Sequence, residues 1–303
     1  DATNRQPVKD IPLLSVESIF RRNLTMKKTS KLLALALAGA MMLGLTACGG
    51  TAGAGSAANS SAPAASEPAA AAGSAAASDK AYNIGICQLV QHEALDAATK
   101  GFKDALTEKL GDKVTFDEQN AAGDSATCAT ICNQFVSSNV DLIMANATPA
   151  LQAATAATDS IPILGTSVTD YGTALDIADW TGTTGKNVSG TADLAPLDKQ
   201  AEMIKELFPD AKNVGILFCS AEPNSKYQAT KITEALTEMD YTCTEYTFAD
   251  SNDVASVTTT ACDASDVLYI PTDNTAASCA EAINNVAAPA KTPIVAGEEG
   301  ICK

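Results

Sequence analysis

From residue 81 to the end of the chain, short apolar runs alternate with stretches whose apolar positions follow a helical period. The runs are strand-like and the stretches between them are helix-like, because a period near 3.6 marks an amphipathic helix and a short apolar block marks a buried strand. The pattern predicts strands at 82–86, 114–118, 141–145 and 161–166, with helices at 94–110, 125–137 and 149–158 between them. A second set follows. Helices are predicted at 196–207, 226–238, 253–261 and 275–286, and strands at 213–218, 242–248, 267–270 and 293–296. Strands that alternate with helices in this way imply parallel sheets covered on both faces. Residues 170–195 break the rhythm, and their run from Gly182 to Gly190 is turn-rich, so it reads as a connection without regular structure. The expectation is an α/β protein of two Rossmann-like lobes, lobe one over 81–193 and lobe two over 194–303, with a ligand cleft between them.

The first 80 residues follow none of this. Residues 1–25 are irregular and polar and read as an upstream extension. Met26 begins a basic segment, Leu32 through Leu45 is almost wholly Leu, Ala, Met and Gly, and Leu45-Thr46-Ala47-Cys48 closes it. A basic region, a short apolar core and a small-residue site make a secretory signal, here over 26–47. The apolar core falls short of the roughly 20 residues that a membrane span needs. Leu-Thr-Ala-Cys resembles the bacterial lipobox, which implies diacylation of Cys48 and cleavage before it. Two acyl chains hold a protein stably to a membrane. Residues 49–79 are Gly, Ala, Ser and Pro with scattered acids and read as a flexible tether, so 48–80 is a lipidated Cys plus linker.

Charge narrows the partners. Residues 1–47 carry seven basic and three acidic residues, which leaves 13 basic and 33 acidic residues and a net charge of −20 in the remainder. Such a surface excludes nucleic acid as a partner, since phosphate binding needs clustered Lys and Arg. Nine cysteines are present, but Cys87, Cys219 and Cys243 sit in or beside strand-like runs, where Cys behaves as a small core residue. Cys128 and Cys132 share a helix face, yet no Cys/His pair of zinc-site spacing accompanies them and His92 is the sole histidine. No metal and no cofactor are expected.

In open parallel sheets, ligands lie beyond the carboxyl ends of the strands. The residues in those places are polar. After the first, third and fourth strands of lobe one come Gln91 and His92, Thr148, and Thr169. In lobe two the equivalents are Glu222, Asn224 and Ser225, then Asp273, Asn274 and Thr275, then Glu298 and Glu299. Thr148-Pro149 opens a helix, whose free N–H groups and dipole favour a carboxylate. Asp273 with Glu298 or Glu299 suits an ammonium. Thr148, Ser225 and Thr275 also suit plain helix capping, Asp273-Asn274 a turn, and His92 a helix start.

At these residues a resemblance emerges. Tyr82-Asn83-Ile84-Gly85-Ile86, the run from Gln91 to Ala98, Asn146-Ala147-Thr148-Pro149-Ala150, Val188-Ser189-Gly190-Thr191, Pro271-Thr272-Asp273-Asn274-Thr275 and Gly297-Glu298-Glu299 are similar to segments of the ABC-transporter substrate-binding lipoproteins of tryptophan and tyrosine uptake. The resemblance implies a type I periplasmic-binding-protein fold with an aromatic amino acid held between the lobes. It implies an ABC permease and its ATPase as partners and attachment outside the cytoplasmic membrane. Carried over by position, Thr148, Asp273 and Asn274 are the leading ligand contacts, with Gln91, Thr169, Asn224, Ser225 and Glu298 next. Tyr171, Trp180 and Tyr227 are candidate aromatic lining. Relatives continue past Gly-Glu-Glu and return to lobe one, so this chain reads as lacking that return segment.

Two other classes compete. An enzyme on a similar scaffold would show a nucleophile elbow, a phosphate-cradling glycine loop or a metal cluster, and none is present in the sequence. A ligand-sensing coreceptor for a membrane kinase would share the lobes. Within transport, branched-chain amino acids, nucleosides and sugars are alternatives to an aromatic amino acid.

Overall fold

The computed structural model describes residues 80–302. Cys48, the signal segment and the tether lie outside the described residues. Lobe one runs β1 (Tyr82–Gln88), α1 (Glu93–Leu110), β2 (Val114–Asn120), α2 (Ser125–Ser137), β3 (Leu142–Asn146), α3 (Thr148–Ala157), β4 (Ile163–Val168), α4 (Tyr171–Ala174) and β5 (Val188–Ala192). Its strands form one parallel sheet in the order β2-β1-β3-β4-β5. Lobe two runs α5 (Leu197–Leu207), β6 (Asn213–Cys219), α6 (Pro223–Thr237), β7 (Thr242–Phe248), α7 (Val254–Ala264), β8 (Val267–Ile270), α8 (Asn274–Ser278), α9 (Ala280–Ala290) and β9 (Ile294–Ala296). Its parallel sheet has the order β7-β6-β8-β9. Among the described residues no helix is long and apolar enough to cross a membrane.

Three expectations are corrected. The connection over 170–195 is not structureless, because it holds α4 and a fifth strand. β5 reads poorly as a strand since it is a polar edge strand whose only buried residue is Val188. The helix expected from 275 to 286 is broken at Cys279, which leaves helical dihedrals at φ −111° and ψ 14° and separates α8 from α9. The helix expected from Lys226 begins at Pro223, where a missing N–H is harmless in the first turn.

The lobes bury their sheets differently. In lobe one, Phe135 of α2 lies over Gly85 of β1, and a Cβ there would come within 2.6 Å of the ring. Ile131, Phe135, Ile143, Leu151 and Ile163 form one core with Cys87 and Leu89. In lobe two, alternation along β6 sends Ile216 and Phe218 to one face and Leu217 to the other. The first face is closed by Ile204, Ile232 and Tyr269, the second by Phe248, Leu268 and Ile283.

Tyr171 does not line a cleft. It is buried over the facing glycines Gly165 and Gly190 of β4 and β5 and its hydroxyl donates to the Thr191 carbonyl at 3.2 Å. A Cβ on Gly190 would lie 2.1 Å from both the Gly165 carbonyl oxygen and that hydroxyl, so this close approach requires glycine. Trp180 packs on Gly172 and stays partly exposed.

Candidate functional site

The loop after β1 is fixed from below. The buried Gln88 side chain donates to the Val90 carbonyl at 2.9 Å and to Asp96 Oδ1 at 2.7 Å, and accepts from the Thr99 hydroxyl at 2.6 Å. Asn146, at the end of β3, donates to Thr99 at 2.9 Å and to the Leu95 carbonyl at 2.8 Å. This network ties two strand ends to the first turns of α1. His92 precedes that helix in an extended conformation, φ −160° and ψ 166°, and its side chain makes no capping bond.

After β3 the backbone is strained. Ala147 has φ +92° and ψ 160°, a region that only glycine enters without cost. Ala147, rather than Thr148, is therefore the residue before α3, and Thr148 and Pro149 form its first turn. Thr148 is only 2% exposed, and its hydroxyl has no hydrogen-bond partner. A buried hydroxyl left unpaired costs on the order of 1–3 kcal/mol.

Lobe two handles its charges internally. Glu222, 2% exposed, accepts five hydrogen bonds. One carboxylate oxygen takes the Thr275 N–H at 2.8 Å and the Thr275 hydroxyl at 2.7 Å. The other takes the Asn274 N–H at 3.2 Å, the Asn274 amide at 2.6 Å and the Asn224 amide at 3.2 Å. Asp273 was expected to meet a ligand ammonium, but its carboxylate points inward. It caps α8 through the Ala276 N–H at 2.7 Å and receives the Cys219 N–H at 2.7 Å. Burial first, and the Glu222 charge second, push its carboxyl up to about 7, against the pull of those N–H donors.

The lobes touch at their strand ends. His92 Nε2 lies 3.2 Å from Asn274 Oδ1, and the Gln228 amide donates to the Thr169 hydroxyl at 3.4 Å. Gln228 also bonds both the N–H and the carbonyl of Thr272, so it belongs firmly to lobe two. Asp193, which follows β5 at the crossover, still meets solvent, yet surrounding protein crowds its carboxyl and raises its pKa. The backbone N–H of Asp193 itself and then Thr169 oppose that rise, while the Glu298 charge adds to it. Glu298 holds the Gly300 N–H at 2.9 Å with one oxygen and leaves the other buried and unpaired.

Of the residues singled out from the sequence, Thr169 and Asn274 make the cross-lobe contacts, Asn224 and Ser225 are tied to Asn274 through Glu222, Asp273 is bonded within lobe two, Glu298 holds the Gly300 N–H in its own loop, and Thr148 follows the strand between β1 and β4. Gln91 is exposed and lines a separate cavity of about 510 Å³ between α1 and β2, with Gln88, Lys100, Lys103 and Glu118. The sequence reading missed the organising roles of Glu222 and Gln228. Glu222 was legible as the residue before a helix-opening Pro223, whereas Gln228 lies inside a helix with no local signal. Cys128 and Cys132 are fully buried on one face of α2 in the same core as Cys87. Among the described residues no group of His, Cys, Asp and Glu is placed to hold a metal ion.

Two parallel α/β lobes whose polar strand ends meet across a crossover make the type I periplasmic-binding-protein architecture. Residues 83–303 match the model of the ABC transporter substrate binding protein family, and the chain belongs to that family. The tyrosine-binding protein of Clostridioides difficile is 41% identical over 226 residues, and the match covers 74% of this chain and 65% of that relative. A Streptococcus pneumoniae domain solved in complex with L-Trp is 32% identical, with a TM-score of 0.70 over 73% of this chain and 76% of that one. The ligand-free, open structure of a Clostridium difficile substrate binding protein is 38% identical over 73% of this chain and 75% of that one, yet its TM-score is 0.50.

Proposed function

We propose that this protein is the extracytoplasmic solute-binding component of an ABC importer, that it captures an aromatic amino acid (Trp, Tyr or Phe) between its lobes, and that it delivers the ligand to a membrane permease driven by an ATPase. The observation that carries this reading is the set of buried polar atoms left unpaired beside the strand ends of both lobes: the Thr148 hydroxyl in lobe one, and Asn224 Oδ1 and Glu298 Oε1 in lobe two. Buried polar atoms are normally paired, and a polar ligand would pair these. An amino-acid carboxylate suits the Thr148 hydroxyl and the free N–H groups at the start of α3, and its ammonium suits Glu298. The relatives named for tyrosine and solved with L-Trp favour an aromatic side chain. No catalytic step is part of this reading, because closure around a ligand and presentation to a permease need none.

Lipidated Cys48 would hold the protein at the outer face of the cytoplasmic membrane, and Cys48→Ser should release it into the medium or periplasm. The ligand is tested by a thermal-shift screen against amino acids, nucleosides and sugars, since a ligand bound to the native state raises the melting point. A shift with Trp, Tyr or Phe alone upholds the proposal. A shift with a branched-chain amino acid, nucleoside or sugar replaces the ligand and keeps the transport role, and hydrolysis or isomerisation of any ligand overturns the binding-only reading.

A further inference from the structure

The single histidine of the chain sits where the lobes meet. Its partner, Asn274, has an amide whose orientation is settled by a third residue. The Asn274 Nδ2 donates to the buried Glu222 carboxylate at 2.6 Å, and the Asn274 backbone N–H donates to the same oxygen. A carboxylate only accepts, so the Asn274 carbonyl oxygen must be the atom that faces His92. His92 Nε2 must then carry the proton and act as the donor at 3.2 Å. The donor is equally prepared: His92 spends nothing on capping α1, and the Gln88 and Asn146 network anchors the loop that carries it.

Sheet order places this bond. His92 follows β1, Thr148 follows β3 and Thr169 follows β4, and the strands lie side by side in the order β1-β3-β4. The two cross-lobe bonds are made beyond β1 and β4, strands two spacings or roughly 10 Å apart, with β3 and Thr148 between them. The Asp193 N–H at the crossover donates to the carbonyl of Val168, next to Thr169, at 3.2 Å, so the Gln228–Thr169 contact is the inner brace and His92–Asn274 lies farther from the crossover. The chain also overlaps the L-Trp-bound relative better than the more identical open, ligand-free one, which fits lobes that have met.

We propose that His92 and Asn274 form a closing latch, a hydrogen bond between the lobes that exists only in the closed state and slows ligand escape, with Glu222 as the positioning residue that presents the Asn274 oxygen. The latch rests on the binding role proposed above, and it acts on release rather than on recognition.

Stopped-flow kinetics with L-tryptophan and L-tyrosine, and small-angle scattering of the ligand-free protein, test it. His92→Ala should raise the dissociation rate roughly three- to tenfold, the worth of one such bond, with the association rate unchanged. His92→Gln, which keeps a donor, should bring the rate back to within about twofold of wild type. In an Asn274→Ala background, His92→Ala should add nothing further. Unchanged dissociation in His92→Ala, no rescue by Gln, or additive effects in the double variant would each overturn the latch. Scattering decides it without a ligand: His92→Ala should enlarge the radius of gyration by shifting the population toward open lobes, and an unchanged radius rejects the proposal. If wild-type protein binds neither amino acid, the aromatic ligand falls, while the scattering comparison still judges the latch.

Discussion

Glu222 of lobe two and Thr148 of lobe one both sit just past the end of a strand, both are about 2% exposed, and they differ in every other respect. Glu222 accepts five hydrogen bonds from three residues, while the Thr148 hydroxyl makes none. The backbone around Glu222 has ordinary dihedrals, while Ala147 before Thr148 is forced to φ +92°. One edge spends its polar groups on its own rigidity and the other holds a polar group and a strained turn in reserve. Strain and unpaired polarity lower stability, so they persist at sites that bind something. The open atoms of lobe two, Asn224 Oδ1 and Glu298 Oε1, belong to side chains whose other polar atom is already tied down. Lobe two thus offers fixed acceptors and lobe one an uncommitted hydroxyl.

The comparison breaks most visibly at Glu222. Glu222→Ala strands the N–H groups of Asn274 and Thr275, the Thr275 hydroxyl and the Asn274 side-chain amide, while the Asn224 amide keeps Ser225 and the Thr272 carbonyl. The expected loss is about 3 kcal/mol or more of unfolding free energy in a urea titration. A loss under about 1 kcal/mol would mean that the network is ornamental and that the two edges do not differ.

Asp273 sharpens the comparison through pH. Its carboxyl lies at about 7 in the folded protein, against an ordinary value of 3.8. Between those values the native state binds more protons than the unfolded one, so stability falls as pH rises from about 4 to 7. The expected result is a melting point that falls between about pH 4.5 and 7.5. Asp273→Asn removes the titration and should flatten that slope while costing some stability at every pH, because one of the Cys219 and Ala276 N–H groups then faces an NH₂. A slope that survives the substitution would assign the titration elsewhere, with Asp193 the next carboxylate to test.

The contrast also decides what was legible from the sequence. Hydrophobic period placed both lobes and most helices, since buried strands and amphipathic helices write themselves into the chain. β5 escaped because an edge strand of Val188, Ser189, Gly190 and Thr191 needs little apolar content, and its pairing depends on Gly165, 25 residues before its partner Gly190. The rule that ligands gather beyond strand ends picked out the loops of Thr148, Asn224, Thr169 and Glu298, whose ligand role is part of the proposal. It could not say which polar group turns inward. Asp273 caps its own helix three residues on, but it also accepts from Cys219, and Asn274 is drawn to Glu222, partners 54 and 52 residues away. His92 read as a helix start because its partner lies 182 residues on.

The mildest substitution tests the open side of the comparison. Thr148→Val keeps the β-branched shape and removes only the hydroxyl, so packing in the first turn of α3 is preserved. In the free protein that hydroxyl is buried and unpaired, and losing it should leave stability unchanged or raise it by about 0.5 kcal/mol. Affinity should move the other way. If the hydroxyl pairs with the ligand carboxylate, its removal costs about 1.4 kcal/mol, a tenfold rise in Kd by calorimetry. The two readouts must part for the comparison to stand: a stable protein that binds more weakly marks Thr148 as a ligand contact. Affinity unchanged beside raised stability would make the hydroxyl a plain packing defect, and the ligand carboxylate would then have to rest on the N–H groups of α3 alone.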